Sequence, residues 1–229
     1  MHSPSPQIGD EHMMRYCFEL AAKSAGQGEY PYAAVIARGG TIVAETINRV
    51  AHERDVTRHA ETVAISLAQE TLASTDLTDC TIYTNMEPCA FCCYAIRESR
   101  IGKVVFSMRS PVMGGSSRWN ILGDHKLSDT MPEVFAPPPV LLAEFLFEEG
   151  DATLRRSAPM AWAFMRARGL LAPPEPQRAG GNHAHDGANG RGYGRMVGWL
   201  LHALRRNFFD RFGRAGGRRR PGDGVTPSP

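Results

Sequence analysis

Nowhere in the 229 residues does an apolar run approach the roughly 18 residues that a membrane-spanning helix needs. The opening stretch, MHSPSPQIGDEHMM, lacks a basic start followed by an apolar core, so no secretory signal is expected and a cytoplasmic location is. Cysteine is scarce: the chain has five, an odd number, and Cys89, Cys92 and Cys93 fall within five residues of one another. Clustering of that kind, without an export signal, argues against a disulfide framework and for a metal or catalytic role in a reducing compartment. No internal repeat is visible. Secreted, fibrous and membrane-spanning classes are therefore not expected.

What the chain does contain is ordinary globular material, 42% apolar and 22% charged. That suffices for one domain of roughly 150–200 residues with a sizeable core. The net charge of +2 hides an asymmetry. Residues 1–172 carry 16 Lys+Arg and 20 Asp+Glu, a balance of −4, whereas residues 173–229 carry 10 Arg, no Lys and 4 acids, a balance of +6. Composition shifts at the same point, where PPEPQRAGGNHAHDGANGRGYGR is rich in Pro, Gly and Asn. The expected organisation is a domain over 1–172, a linker over 173–194, and a basic amphipathic helix with an Arg-rich tail over 195–229. In that helix Val197, Leu200, Leu201, Leu204, Phe208 and Phe212 share a face, and Arg195, His202, Arg205, Arg206 and Arg214 are basic. Its expected use is docking on its own domain or a neighbouring subunit, or disorder; contact with a membrane surface, and binding of nucleic acid or another protein, are the less favoured alternatives.

Within the domain the hydrophobic period alternates between that of helix and strand. Asp10 to Gly26 is an amphipathic helix, and YAAVIAR and TIVAETIN flank Gly39-Gly40 as a hairpin. His59 to about Ala73 is a second helix, Thr81–Asn85 a strand, Cys89–Arg100 a third helix and Lys103–Met108 another strand. Residues 111–139 read as irregular, Val140–Phe147 as a fifth strand, and Asp151–Leu170 as a helix interrupted at Pro159. This order implies an α/β fold, a sheet layered between helices.

Two short pieces carry the chemistry. His59-Ala60-Glu61 starts one helix, and Pro88-Cys89-Ala90-Phe91-Cys92 starts the next. Cysteines three apart at a helix start put both sulfurs on one face, and Pro88 costs nothing where the first-turn N–H has no internal acceptor. The helix N-terminus favours thiolate over thiol. His59 adds a neutral imidazole, giving three ligands and leaving the fourth tetrahedral position for water, as catalytic zinc sites do. Zinc lowers the pKa of its water from about 15.7 to near 7. Glu61, two residues from a ligand and not needed as one, can take that water's proton and pass it to a substrate ring nitrogen and then to a leaving amine. A structural zinc or a redox CxxC are the alternatives. The first needs a fourth ligand, and Cys93 points about 100° away from Cys92 on a helix. For Glu61 the alternative is a solvated helix charge. Cys17 and Cys80 read as buried apolar thiols, and His183 and His185 lie in the linker without a partner set.

RHAETVAI, TIYTNMEPCAFCCYAI and RIGKVVF resemble the cytidine-deaminase-like superfamily, whose zinc nucleobase deaminases carry H-x-E and P-C-x-x-C. The resemblance covers roughly residues 10–147 and is nearest to the branch of guanine deaminases, fungal cytosine deaminases and tRNA adenosine deaminases. It implies a three-layer α/β/α sandwich around a five-stranded mixed sheet, one Zn2+ per chain on His59, Cys89 and Cys92, and Glu61 as the proton shuttle. It also implies base contacts from Asn48 and the Ala60 backbone, and assembly as a homodimer or larger homo-oligomer. Asn48 can equally be a turn residue at a strand end.

Some residues depart from the branch. PCAFCC lacks the PCGxC form of free-cytidine deaminases, and Arg58 stands where a small residue is common. Where the tRNA-acting members have a short loop and a basic helix, residues 107–139 are longer and not strongly basic. Together with the −4 domain, this favours a free base or nucleoside, a guanine-like purine, over nucleic acid. An irregular stretch of this length is usually functional; Arg118, Trp119 and a Gly114-Gly115 hinge suggest a lid over a flat substrate, with Trp119 as a contact. The expected activity is hydrolytic deamination of a heterocyclic amine. A tRNA adenosine deaminase is the alternative enzyme, and a catalytically silent scaffold subunit the alternative of another class.

Overall fold

The computed structural model describes residues 9–172, so the linker, the basic helix and His183 and His185 lie outside the described residues. The elements run α1 (Asp10–Gly26), β1 (Ala33–Arg38), β2 (Thr41–Ile47), α2 (Val50–Glu53), α3 (Ala60–Leu72), β3 (Cys80–Met86) and α4 (Ala90–Glu98). They continue with β4 (Lys103–Met108), α5 (His125–Thr130), β5 (Val140–Leu142), α6 (Phe147–Ser157) and α7 (Pro159–Ala167). The sheet order is β2-β1-β3-β4-β5; β1 is antiparallel to β2 and β3, while β3, β4 and β5 are parallel. This is the mixed five-stranded sheet in the α/β/α layering that the resemblance implies.

Strand alternation builds a core on each face. Ala34, Ile36, Ile82, Val104 and Phe106 point to the side covered by α3 and α4, where Ala60, Ala64, Ala68, Cys93 and Ile96 meet them. Ala33, Val35, Ala37, Tyr83 and Val105 point the other way, onto Met13, Met14, Cys17 and Phe18 of α1. Cys17 and Cys80 are buried thiols, as expected. Gly39 and Gly40 both have positive φ, 56° and 82°, the backbone of a type I′ hairpin turn. A buried pair ties α1 to the sheet: Lys103 Nζ donates to both oxygens of Asp10 at 3.0 and 2.8 Å, and Tyr83 OH donates to Oδ1 at 2.7 Å. No helix of the described residues is long and apolar enough to cross a membrane.

The fifth strand is shorter than its apolar run suggests. β5 stops at Leu142, Glu144 and Leu146 turn into the left-handed region (φ 58° and 54°), and α6 begins at Phe147. Phe147 and Leu154, seven apart, share one helical face and pack with Met108, Met165 and Leu171. Helical burial thus claims residues that periodicity assigned to a strand, and α6 starts four residues before the expected Asp151; the break at Pro159 holds. The stretch 111–139, expected to be irregular, contains the short α5, capped by Asp124, whose side chain accepts from Lys126 N.

Candidate active site

The topology gathers the site at one end of the sheet. The C-terminal ends of β2 and β3 flank the start of β1, through Ala33–Ile47 and Ala34–Thr84 pairing. Asn48 follows β2, Pro88-Cys89 follows β3, and Asn85 stitches the same edge by accepting from Ala33 N and donating to Pro31 O, both at 2.9 Å. His59 and Cys89 are the residues immediately before α3 and α4, each with extended backbone. Ala60, the first residue of α3, is fully buried, and its N–H belongs to the first-turn donors that a helix leaves without an internal acceptor.

His59 Nδ1 lies 3.5 Å from Cys89 Sγ and 3.4 Å from Cys92 Sγ, and the two sulfurs are 3.6 Å apart. A tetrahedral zinc with Zn–S near 2.3 Å and Zn–N near 2.0–2.1 Å separates sulfurs by about 3.8 Å and a sulfur from a nitrogen by about 3.6 Å. The triangle therefore has the edges of a zinc site. Among the described residues this is the metal-ligating cluster that forms, and Cys93 is not in it. Cys93 is buried and its thiol points to Pro88 O at 3.4 Å, so the set offers three ligands, the catalytic arrangement and not the closed one. Phe91 stacks edge-on to the His59 ring, with centroids 5.9 Å apart.

The electrostatics distinguish the two ligand thiols. Cys92, as a donor, and the His59 ring hold the Cys89 thiol down to about 4 against its burial. The same contact to Cys89, with burial, pushes Cys92 well up. Glu61 is buried, and that burial, reinforced by Cys89, raises its carboxyl to about 7, while His59 and Cys92 pull the other way. A carboxyl poised near neutrality beside the ligand set can both take up and release a proton.

Sequence reasoning missed three buried charges around this site. Glu29, side chain fully buried, accepts from Tyr30 N and Asn48 Nδ2 through Oε1, both at 2.9 Å. Its Oε2 takes Ala51 N at 2.9 Å and His52 N at 3.0 Å, with His52 Nδ1 at 3.1 Å. Glu87, just before Pro88, accepts from Ser110 N at 2.8 Å and from the N–H and hydroxyl of Ser117 at 2.6 Å each. Arg97 donates to the carbonyls of Ile121, Leu122, Asp124 and Ala136 and to Ser128 Oγ. Of the three, Arg97 had a signal: it lies on the stripe of Ala90 and Cys93, where an apolar residue is the norm.

Glu87 and Arg97 bear on the hinged lid expected from Gly114 and Gly115. Neither glycine has positive φ. A Cβ on Gly114 would run into the Glu87 carboxylate, and one on Gly115 would lie 2.5 Å from Cys93 Sγ. Their smallness serves close approach. Gly114 bridges to Cys89, and Gly115 N donates to Pro88 O at 2.8 Å. This part of the segment is strapped to the helix that carries the ligands. Trp119 is 49% exposed, with the Arg118 guanidinium 5.0 Å above its ring.

Residues 8–108 match the family model described as the cytidine and deoxycytidylate deaminase zinc-binding region. A tRNA-specific adenosine deaminase of Aquifex aeolicus is 34% identical over 142 residues, which cover 60% of this chain and 94% of that protein. One from Haemophilus influenzae is 36% identical over 124 residues, 53% of this chain and 72% of the relative. A structure from a study of A-to-I editing by deaminases at the wobble position of transfer RNA has a TM-score of 0.56 at 26% identity, covering 63% of this chain and 99% of that one. A mutant of NE0047 in complex with 8-azaguanine has a TM-score of 0.55 at 25% identity, covering 69% and 94%.

Proposed function

The chain belongs to the cytidine and deoxycytidylate deaminase family, zinc-dependent hydrolases of C–N bonds, and within it we propose that this protein removes the exocyclic amine of an adenosine in transfer RNA, giving inosine and ammonia. One observation carries the reading: the His59–Cys89–Cys92 triangle of zinc dimensions with the buried Glu61 carboxyl beside it. The likeness to tRNA adenosine deaminases supports the substrate, since it spans 94% of one such relative and is not confined to the zinc motif.

In this reading His59, Cys89 and Cys92 hold the zinc, which supplies a Lewis acid that lets water ionise near neutral pH. Glu61 would accept one proton from the attacking water and hand it to the ring nitrogen next to the reacting carbon, then carry the second, from the newly added oxygen, to the departing amine, which leaves as ammonia. Its place suits that work, because the buried carboxyl lies against the Cys89 and Cys92 sulfurs and the His59 ring. Asn48, the Ala60 N–H and Trp119 are assigned to the purine ring. A second copy of the chain is the expected assembly partner. Phosphate contacts need cations, and the +6 balance of residues 173–229 supplies them where the −4 domain does not.

A free purine is the second reading, favoured by the acidic balance of the domain and by the likeness to a protein solved with 8-azaguanine. One panel tests both: ammonia release, and inosine formation, from an anticodon stem-loop, adenosine, adenine, guanine and cytidine. Inosine in the stem-loop is the expected result. Ammonia from guanine with an unreacted stem-loop would overturn the transfer-RNA reading and leave the zinc chemistry in place.

A further inference from the structure

We infer that Glu29 is a positioning residue that fixes which way the Asn48 amide faces, and so sets how the substrate base is read. The inference rests on the assignment of Asn48 to the base. An asparagine amide has nearly the same shape when its O and N are exchanged, so its orientation is decided by its neighbours. An ionised carboxylate can only accept. Glu29 Oε1, 2.9 Å from Asn48 Nδ2, therefore takes the NH2 end and excludes the flipped amide, which would set oxygen against oxygen. One N–H of Asn48 is spent on this contact; a second N–H and the carbonyl oxygen are what the amide has left to offer a base.

The carboxylate is itself locked. Tyr30 N holds Oε1, and the N–H groups of Ala51 and His52 hold Oε2, so α2 and the loop before β1 fix the group that fixes Asn48. Asn48 is further held by its own N–H, which donates to Tyr32 O at 2.9 Å. Both side chains are buried, so water does not compete for the contact. Glu29 makes two side-chain contacts, to the His52 ring at 3.1 Å and to Asn48 Nδ2 at 2.9 Å; the second reaches the side chain assigned to the substrate, and that contact points to a role in reading the base.

The test is a double-mutant cycle on the full-length zinc protein, with the stem-loop as substrate. Glu29→Gln turns one acceptor into a donor, so the Asn48 amide loses its fixed orientation. The expected loss in kcat/KM is roughly 10–100-fold, the scale of a hydrogen bond to a charged group, and it should fall mainly on KM with zinc content unchanged. In an Asn48→Ala background, Glu29→Gln should cause no further loss. Should Glu29→Gln fail to fold, Glu29→Asp keeps the charge one methylene short, and the same KM-weighted, non-additive loss is expected. Additive losses in the cycle, or a loss confined to kcat, would reduce Glu29 to a structural residue and overturn the inference. Unchanged kinetics in Asn48→Ala would instead remove Asn48 from the substrate, and the inference with it. Turnover of guanine but not of the stem-loop overturns the transfer-RNA reading alone, and the cycle is then read on guanine.

Discussion

His59 and Cys89 occupy equivalent places in two successive helices: each is the N-cap, with φ/ψ of −64°/149° and −69°/170°, and Nδ1 of one lies 3.5 Å from Sγ of the other. Two helix N-termini thus converge on one point, and Cys92, one turn into α4, completes the triangle. The first-turn N–H groups and the helix dipoles favour the thiolate form that a metal needs.

Cys89→Ala and Cys92→Ala should each lose most of the zinc and loosen the start of α4, since metal binding and local folding are coupled. Cys93→Ala, which removes a thiol aimed at Pro88 O, should keep about one zinc per chain. Metal analysis of the three proteins checks this. Full zinc in either of the first two variants would refute the ligand assignment.

Glu61→Ala should retain fold and zinc yet lose ~10²–10⁴ in kcat, the usual contribution of a positioned proton donor and acceptor. Weaker substrate binding with unchanged turnover would make Glu61 a binding group and the proton route wrong.

Glu87→Ala should loosen residues 110–117. It strips the acceptor from Ser110 N, Ser117 N and the Ser117 hydroxyl; the buried Ser110 donor left unsatisfied costs roughly 1–3 kcal/mol, while the Ser117 donors, on an exposed residue, can turn to water. Hydrogen exchange should accelerate at these amides before it does in β1 or β3. Uniform exchange across the domain would mean that the strap is not a separate unit.

Acid stability should depend on Glu29. Burial by itself raises this carboxyl, but the N–H groups of Tyr30 and His52, the Asn48 amide and the His52 ring outweigh it and hold the group below its ordinary value. A lowered folded pKa adds stability above the unfolded value of about 4.3, and that contribution disappears as pH falls through the folded value. Thermal melting between pH 6 and pH 3 should therefore fall more steeply for the native protein than for Glu29→Gln. Parallel curves would show that the carboxylate contributes nothing through its charge.

A chain ending at Ala172 should keep zinc and should turn over a small substrate as well as the full chain does, because Glu61, the three ligands and Asn48 all precede that point. On transfer RNA it should show a higher KM and a shallower salt dependence, having lost the ten arginines of residues 173–229. Identical salt slopes for the two proteins would place the phosphate contacts on the domain.

The sequence by itself determined the elements and the ligands whose signals are local. The α1 limits, Asp10–Gly26, the glycine turn at Gly39-Gly40 and the Cys89–Cys92 spacing each lie within a few residues, so period and turn chemistry suffice to read them. The long, weakly basic segment after β4 and the −4 domain favoured a free base or nucleoside, whereas the chain is similar to tRNA-specific adenosine deaminases; net charge reports on partners only coarsely when the basic residues sit in a separate segment. Tertiary structure alone decided where the buried charges find their partners. Glu29 meets Asn48 across 19 positions, Glu87 meets Ser117 across 30, and Arg97 meets Ala136 across 39. It also decided that the run from Val140 to Phe147 divides into three residues of strand and the start of a helix, because Phe147 could be buried against Leu154 and Met108 only on a helical face. A buried charge must be satisfied, but any segment that folding brings near can supply the acceptor or donor, and neither composition nor periodicity records which one does.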